Sequence, residues 1–312
     1  MNERKFTNKL LLLIVPILFL NGCSNYKDQQ MIPPETLPDA IIKVMSDAYP
    51  DATDATFQAI EKDKLYEVYY KLKGNPFYAA LNTKKILSVY RMHGALPDSM
   101  KRALPSRNMA GGVVEAYKEP ENQVSVDRKY SARYTWNNQA YLLSWLKYDL
   151  INPKRLSIVL EPYIKFAYSI GKDELVALPG PVVSFLEREK LRFAAATISI
   201  NDKNEKIYEV NAYTASSTNY DFTFNAAGKL TNTIYRAEAF YYSIDEYPEK
   251  IQNFVKNSWV FSSMKILEGY KFSDPIGTGY GLIMQGTDEN CRFTFDQDGN
   301  FVNMRYQSVV DQ

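Results

Sequence analysis

Hydrophobic and polar positions change period along this chain in a recurring order. After Leu37 and Pro38, apolar residues fall at Ile41, Val44, Met45 and Ala48, the spacing of a short amphipathic helix opened by proline. The segment KLYEVYYK, from Lys64, then alternates. Tyr66, Val68 and Tyr70 share one face of a strand, and Glu67, Tyr69 and Lys71 share the other. Later, FTFNAAGKL at 222–230 and FTFDQDGNF at 293–301 each read as a strand entering a tight hairpin, with Gly228 and Gly299 supplying positive φ.

Proline-opened apolar patterns begin at Leu37, Leu96, Leu178 and Tyr247. Hairpin patterns close at YAALNTKKIL (78–87), YTWNNQAYL (134–142) and the two FTF segments. In the YTW copy Ala140 stands where the FTF copies have glycine, and KIYEV at 206–210 repeats KLYEV at 64–68. Recurrence at this spacing predicts four units: 37–95, 96–177, 178–246 and 247–312. The second diverges and carries inserted strands around RLSIVLEPYIKFAYSI (155–170), where a break between two pairs is expected. The fold class expected is α+β. Tandem small units would each pack a helix on a three- to four-stranded antiparallel sheet and leave the other sheet face open.

The order of proline-opened helix, YP loop, KxYEV strand and glycine hairpin resembles the PepSY-like modules of the β-lactamase-inhibitor-like group. The likeness extends over most of 37–312 and is strongest over 37–90 and 178–312. It implies a helix on an antiparallel sheet and binding rather than catalysis, with the open sheet face gripping a partner protein.

The N-terminus reads as an address. Arg4, Lys5 and Lys9 precede an apolar run from Leu10 to Leu20, too short to span a membrane as a helix, so residues 1–22 are expected to be a signal peptide. Leu20, Asn21, Gly22 and Cys23 resemble the lipobox of bacterial lipoproteins. That resemblance implies cleavage before Cys23 and acylation of its thiol, and Ser24 implies sorting to the outer membrane. Residues 23–36, polar and containing Pro33 and Pro34, read as anchor and tether. The expected location is the bacterial cell envelope, lipid-anchored, on the periplasmic or outer surface.

Composition removes several chemistries. The 312 residues carry 37 Lys plus Arg against 36 Asp plus Glu, so no net charge draws the chain to nucleic acid. The single histidine, His93, has no nucleophile placed near it in the sequence and reads as a surface loop residue. Cys291 shares strand parity with Phe293 and Phe295 and reads as a buried apolar residue. DQDGN at 296–300 superficially matches a calcium loop, but NAAGK in the third unit keeps the glycine without the carboxylates, so turn geometry explains both. GTGYG at 277–281 lacks a phosphate-binding Lys/Ser pair and reads as a flexible approach to a strand. No metal or cofactor is expected.

Tyrosine is abundant, 24 residues, and parity separates core from surface. If Tyr66, Val68, Phe222 and Phe224 face helices, then Tyr69, Lys71, Arg133, Tyr213 and Arg292 face the open side and form the candidate binding surface. The function expected is that of a non-enzymatic, lipid-anchored envelope protein that binds a protein or peptide partner there. The alternative is a structural or spacer lipoprotein without a specific ligand, and an envelope hydrolase ranks third.

Overall fold

The computed structural model describes residues 37–94, 112–121, 128–136, 138–147, 155–235, 237–258, 261–287 and 289–311. The signal segment 1–22, Cys23 with the tether to residue 36, and the helix opening at Leu96 lie outside the described residues. Three α-helices are described: α1 (Asp39–Ala48), α2 (Gly180–Arg188) and α3 (Glu249–Lys256). Each follows a proline, Pro38, Pro179 or Pro248, whose fixed φ presets the first turn without losing a helical hydrogen bond. Each buries one narrow stripe, for example Ile41 and Met45 in α1, a contribution of about 1.5–3 kcal/mol per side chain.

The strands run β1 (Thr53–Glu61), β2 (Leu65–Leu72), β3 (Asn75–Asn82), β4 (Ile86–Met92), β5 (Val113–Pro120), β6 (Arg128–Trp136), β7 (Gln139–Lys147), β8 (Arg155–Pro162) and β9 (Phe166–Ile170). They continue with β10 (Arg192–Ile200), β11 (Lys206–Tyr213), β12 (Asn219–Phe224), β13 (Leu230–Thr233), β14 (Ala237–Tyr241), β15 (Lys265–Asp274), β16 (Gly277–Gln285), β17 (Glu289–Asp296) and β18 (Phe301–Asp311). All pairings are antiparallel. They form a 13-stranded sheet in the order β1 to β8 followed by β18, β17, β16, β15 and β14, and a five-stranded sheet ordered from β13 through β12, β11 and β10 to β9.

This overturns the expected chain of small α+β units. Four pairings fuse them: β4 with β5 (Tyr90↔Pro120), β8 with the C-terminal β18 (Leu160↔Tyr306) and β14 with β15 (Phe240↔Tyr270) in the large sheet, and β9 with β10 (Ile170↔Ala196) in the small one. The physical reason is the edge strand. A helix on a short meander leaves two rows of unpaired N–H and C=O groups, and edge-to-edge pairing satisfies them at once.

Cross-strand registers fix the two faces of the large sheet. Tyr66, Val68 and Leu81 share a core with Ile41 and Met45 of α1, while Trp145, Leu160, Phe293, Phe295 and Tyr306 share one with Ile251 and Val255 of α3. Following the registers across β4, β5 and β6 puts both helices on the same face. Cys291 lies in the α3 core with no exposure, and burial pushes its thiol pKa far up. Helix α2 covers the small sheet, with Phe185 edge-on to Phe222 and Phe224 at ring distances of 5.0 and 5.6 Å.

The hairpins show what each turn demands. Gly228 and Gly299 both sit at φ +75°, which a side chain would strain. In the β6–β7 turn the positive φ falls on Asn138, at 60°, two residues before Ala140, which lies inside β7. GTGYG is likewise not an approach segment but the start of β16, where the missing side chains make room for rings. A Cβ on Gly281 would stand 2.1 Å from Cζ of Tyr270.

Asp296 holds the DQDGN turn through its own carboxylate. Oδ1 accepts from the backbone N–H of Asp298 (2.9 Å) and Asn300 (2.8 Å), and Oδ2 accepts from the Asn300 side chain (2.9 Å). Burial tends to raise its pKa, but the Asn300 and Asp298 hydrogen bonds outweigh that and hold the carboxyl low. Asn225 plays the same part, accepting from Ala227 and Lys229. Asp296→Asn is therefore expected to leave the denaturation midpoint nearly unchanged, whereas Asp296→Ala lowers stability by about 1 kcal/mol. Because the folded pKa is depressed, the difference between wild type and Asp296→Ala is full at neutral pH. It fades as pH falls through the folded value, which a pH series of denaturant unfolding curves reads directly.

Candidate functional site

The face of the large sheet opposite α1 and α3 was the expected open face, and the small sheet covers much of it. At one end Leu65, Tyr78, Ala80 and Tyr90 join a core with Phe166, Ile198 and Ile200 of the small sheet. At the other end Leu230 packs with Tyr270 and Phe272, the Leu230 N–H donates to the Ile276 carbonyl (3.0 Å), and the Tyr270 hydroxyl donates to Asn232 (2.9 Å).

An ionic cluster is closed inside the first contact. Glu67 is 1% exposed. It accepts from the Tyr78 hydroxyl (3.0 Å) and from Lys165 Nζ (3.1 and 3.3 Å to its two oxygens), while Lys165 also donates to Asn204 Oδ1 (2.9 Å). Lys118, 6% exposed, donates to the Lys165 carbonyl and holds its ammonium 4.2 Å from the Tyr90 ring centroid. Burial, reinforced by the Glu67 carboxylate, pushes the Tyr78 hydroxyl well above its ordinary range. At the margin Glu61 pairs with Lys206 and Lys64; burial raises its pKa, but the two ammonium groups bring the net value down. With its donors and acceptors turned on one another, this cluster fastens the two sheets together.

The five expected surface residues divide accordingly. Tyr69 is 38% exposed and packs on Tyr78 at 5.0 Å, and Lys71 pairs with Asp54 at 2.9 Å. Arg133 is engaged by the small sheet: Nη2 donates to Asp202 (3.3 Å) and the guanidinium lies 5.1 Å from the Tyr163 ring, so it anchors the β10–β11 hairpin. Tyr213 lies on the small sheet, on the face turned away from α2, with Lys172 Nζ 5.8 Å from its ring. Arg292 is exposed on the large sheet. The five do not form one surface, since four strand spacings of about 4.8 Å separate Tyr69 from Arg133 and four more separate Arg133 from Arg292.

Sequence reading missed the partner of Arg292. The β17–β18 register sets Arg292 directly opposite Arg305, both exposed, with Ile283 on the other side of Arg292. Arg305 reaches Glu161 at 4.0 Å. The turn alone does not show it: counting straight back from Phe295↔Phe301 sets Arg292 opposite Met304, and a one-residue register shift between Thr294 and Phe295 moves it to Arg305. His93 lies at the end of β4 with Nε2 3.2 Å from Glu119 Oε2 and its ring 5.0 Å from Tyr117.

No protein-family model matches the chain, and no curated protein matches it. Among solved structures, a protein from Bacteroides vulgatus described as periplasmic and of unknown function overlaps 45% of this chain and 98% of its own, at 16% identity and a TM-score of 0.23. Among the described residues no helix is long and apolar enough to cross a membrane, and no cluster of His, Cys, Asp and Glu has the makings of a metal site.

Proposed function

We propose that this is a non-enzymatic, lipid-anchored protein of the bacterial envelope that binds an acidic segment of a partner protein. The contact is the uncovered strip of the large sheet across Arg292 and Arg305. The lipobox-like run ending at Cys23 supports the anchor. The arginine pair carries the binding reading: like charges set directly opposite on neighbouring strands destabilise a sheet, Glu161 at 4.0 Å from Arg305 offsets one of the two, and a carboxylate from outside would relieve the other. His93, facing Glu119 and Tyr117, and Cys291, buried in a separate core, have no arrangement that activates a nucleophile, which favours binding over hydrolysis.

The test separates binding from folding. Arg292→Glu converts a like-charged pair into a complementary one, so stability is expected to hold or rise by up to about 1 kcal/mol. Recovery of the partner from envelope extract is expected to collapse, and wild-type recovery to fall as salt is raised. Equal recovery by wild type, Arg292→Glu and Arg305→Glu would refute this surface and favour the spacer role.

A further inference from the structure

On the helix-bearing face, three segments distant in the chain meet around a cleft of about 470 Å³: Trp136 and Gln139 of the β6–β7 hairpin, Asn253, Phe254 and Asn257 at the end of α3, and Phe301 at the start of β18. That volume lies in the range of small-molecule sites, roughly 300–1,000 Å³. The pairing of β8 with β18 brings these segments together.

The lining has two chemical characters. Phe254 lies parallel to Phe301 (5.1 Å between centroids, 15° between planes), and Trp136 packs on Tyr141 at 6.3 Å, so two aromatic pairs with half-buried rings line the cleft. Asn253 and Asn257 are spaced four apart on one side of α3, exposed, and neither amide side chain has a hydrogen-bond partner among the described residues. That sets them apart from Asn82, Asn201, Asn225 and Asn300, whose amides all hold turns. Gln139 accepts from the Tyr141 hydroxyl (3.1 Å), which leaves its NH₂ group to donate elsewhere.

No charged side chain lines the cleft among the described residues. An anionic ligand would find no counter-charge, and a purely apolar one would cover the amides without satisfying them. A neutral polyhydroxylated ring fits both characters, its C–H faces lying against aromatic rings and its hydroxyls exchanging hydrogen bonds with amides. We infer that this cleft binds a neutral oligosaccharide, held against Trp136 and Phe254 and hydrogen-bonded by Gln139, Asn253 and Asn257. The site is independent of the arginine strip, which lies on the other face of the sheet.

The full-length protein in a sugar-free detergent can be titrated with neutral trisaccharides of glucose, galactose, mannose and N-acetylglucosamine, followed by saturation-transfer NMR and calorimetry. At least one is expected to bind, and trigalacturonate to bind more weakly. Asn253→Ala/Asn257→Ala should keep the wild-type unfolding midpoint and lose affinity by roughly tenfold or more, as should Trp136→Ala. Three results would each overturn the inference. One is no binding by any neutral trisaccharide at roughly 10 mM, where even millimolar affinity saturates. The others are tighter binding of trigalacturonate, and wild-type affinity in both variants.

Discussion

Lys165→Met is expected to lower the stability of the protein by about 3–5 kcal/mol, the usual cost of removing one member of a buried ion pair. The methionine retains most of the apolar stem, so the loss isolates the ammonium. Without it Glu67, 1% exposed, would keep the Tyr78 hydroxyl but lose both charge-assisted bonds from Nζ, and Asn204 would lose its donor. A carboxylate closed between two sheets has little water to replace those partners. Removing both charges tests the account. Glu67→Leu with Lys165→Met should recover most of the loss, because a well-packed apolar pair avoids the desolvation of two ions. Guanidinium midpoints of the wild type, each single variant and the double variant complete the cycle. A double variant as unstable as the sum of the singles would mean that packing, not charge, holds this junction.

Gly277→Ala is expected to destabilise the protein by about 3 kcal/mol, at the upper end of overpacking effects. Its Cβ would fall 1.9 Å from the carbonyl oxygen of Leu230. The oxygen is backbone and a Cβ has no rotamer of its own, so no side-chain rotation relieves the collision where the end of the small sheet meets β16, and the sheets must separate. Gly171→Ala is the control. It is exposed, its backbone is extended (φ −98°, ψ −173°) and nothing lies within 4 Å of the added carbon, so stability should stay within about 1 kcal/mol of wild type. Thermal unfolding of the pair reads the contrast, and a Gly277→Ala protein as stable as wild type would place the tight contact elsewhere.

Both effects concern the docking of one sheet on another, which hydrophobic patterning does not encode. What the pattern does encode is local. Ile41 and Met45 at helical spacing after Pro38 produce α1, and alternation at Tyr66, Val68 and Tyr70 sets their common face. The glycine at 299 ends one strand and starts the next, pairing Phe295 with Phe301 before the register slips by one residue at Thr294. The candidate site was less legible. Arg292 meets Arg305 only through that one-residue slip, which the turn does not announce, and the cleft at Trp136, Phe254 and Phe301 exists only because β8 pairs with β18. Strand edges offer the same N–H and C=O groups whatever their side chains, so sequence does not single out one partner edge.

The two YEV segments divide what sequence and tertiary structure each determined. In KLYEV and KIYEV the alternation alone dictates a strand whose tyrosine and valine point inward, and Tyr66, Val68, Tyr208 and Val210 are all buried. The glutamate between them has the same neighbours in sequence and the same face parity. Yet Glu67 is 1% exposed and bound to Lys165, whereas Glu209 is exposed. Tertiary structure decides this difference, because the small sheet lies across the outer face of β2 and brings Lys165 with it, while the outer face of β11 meets solvent. Period and proline fixed which residues form helices, strands and turns. Which edges joined, and therefore which charges were buried, depended on packing between segments far apart in the chain.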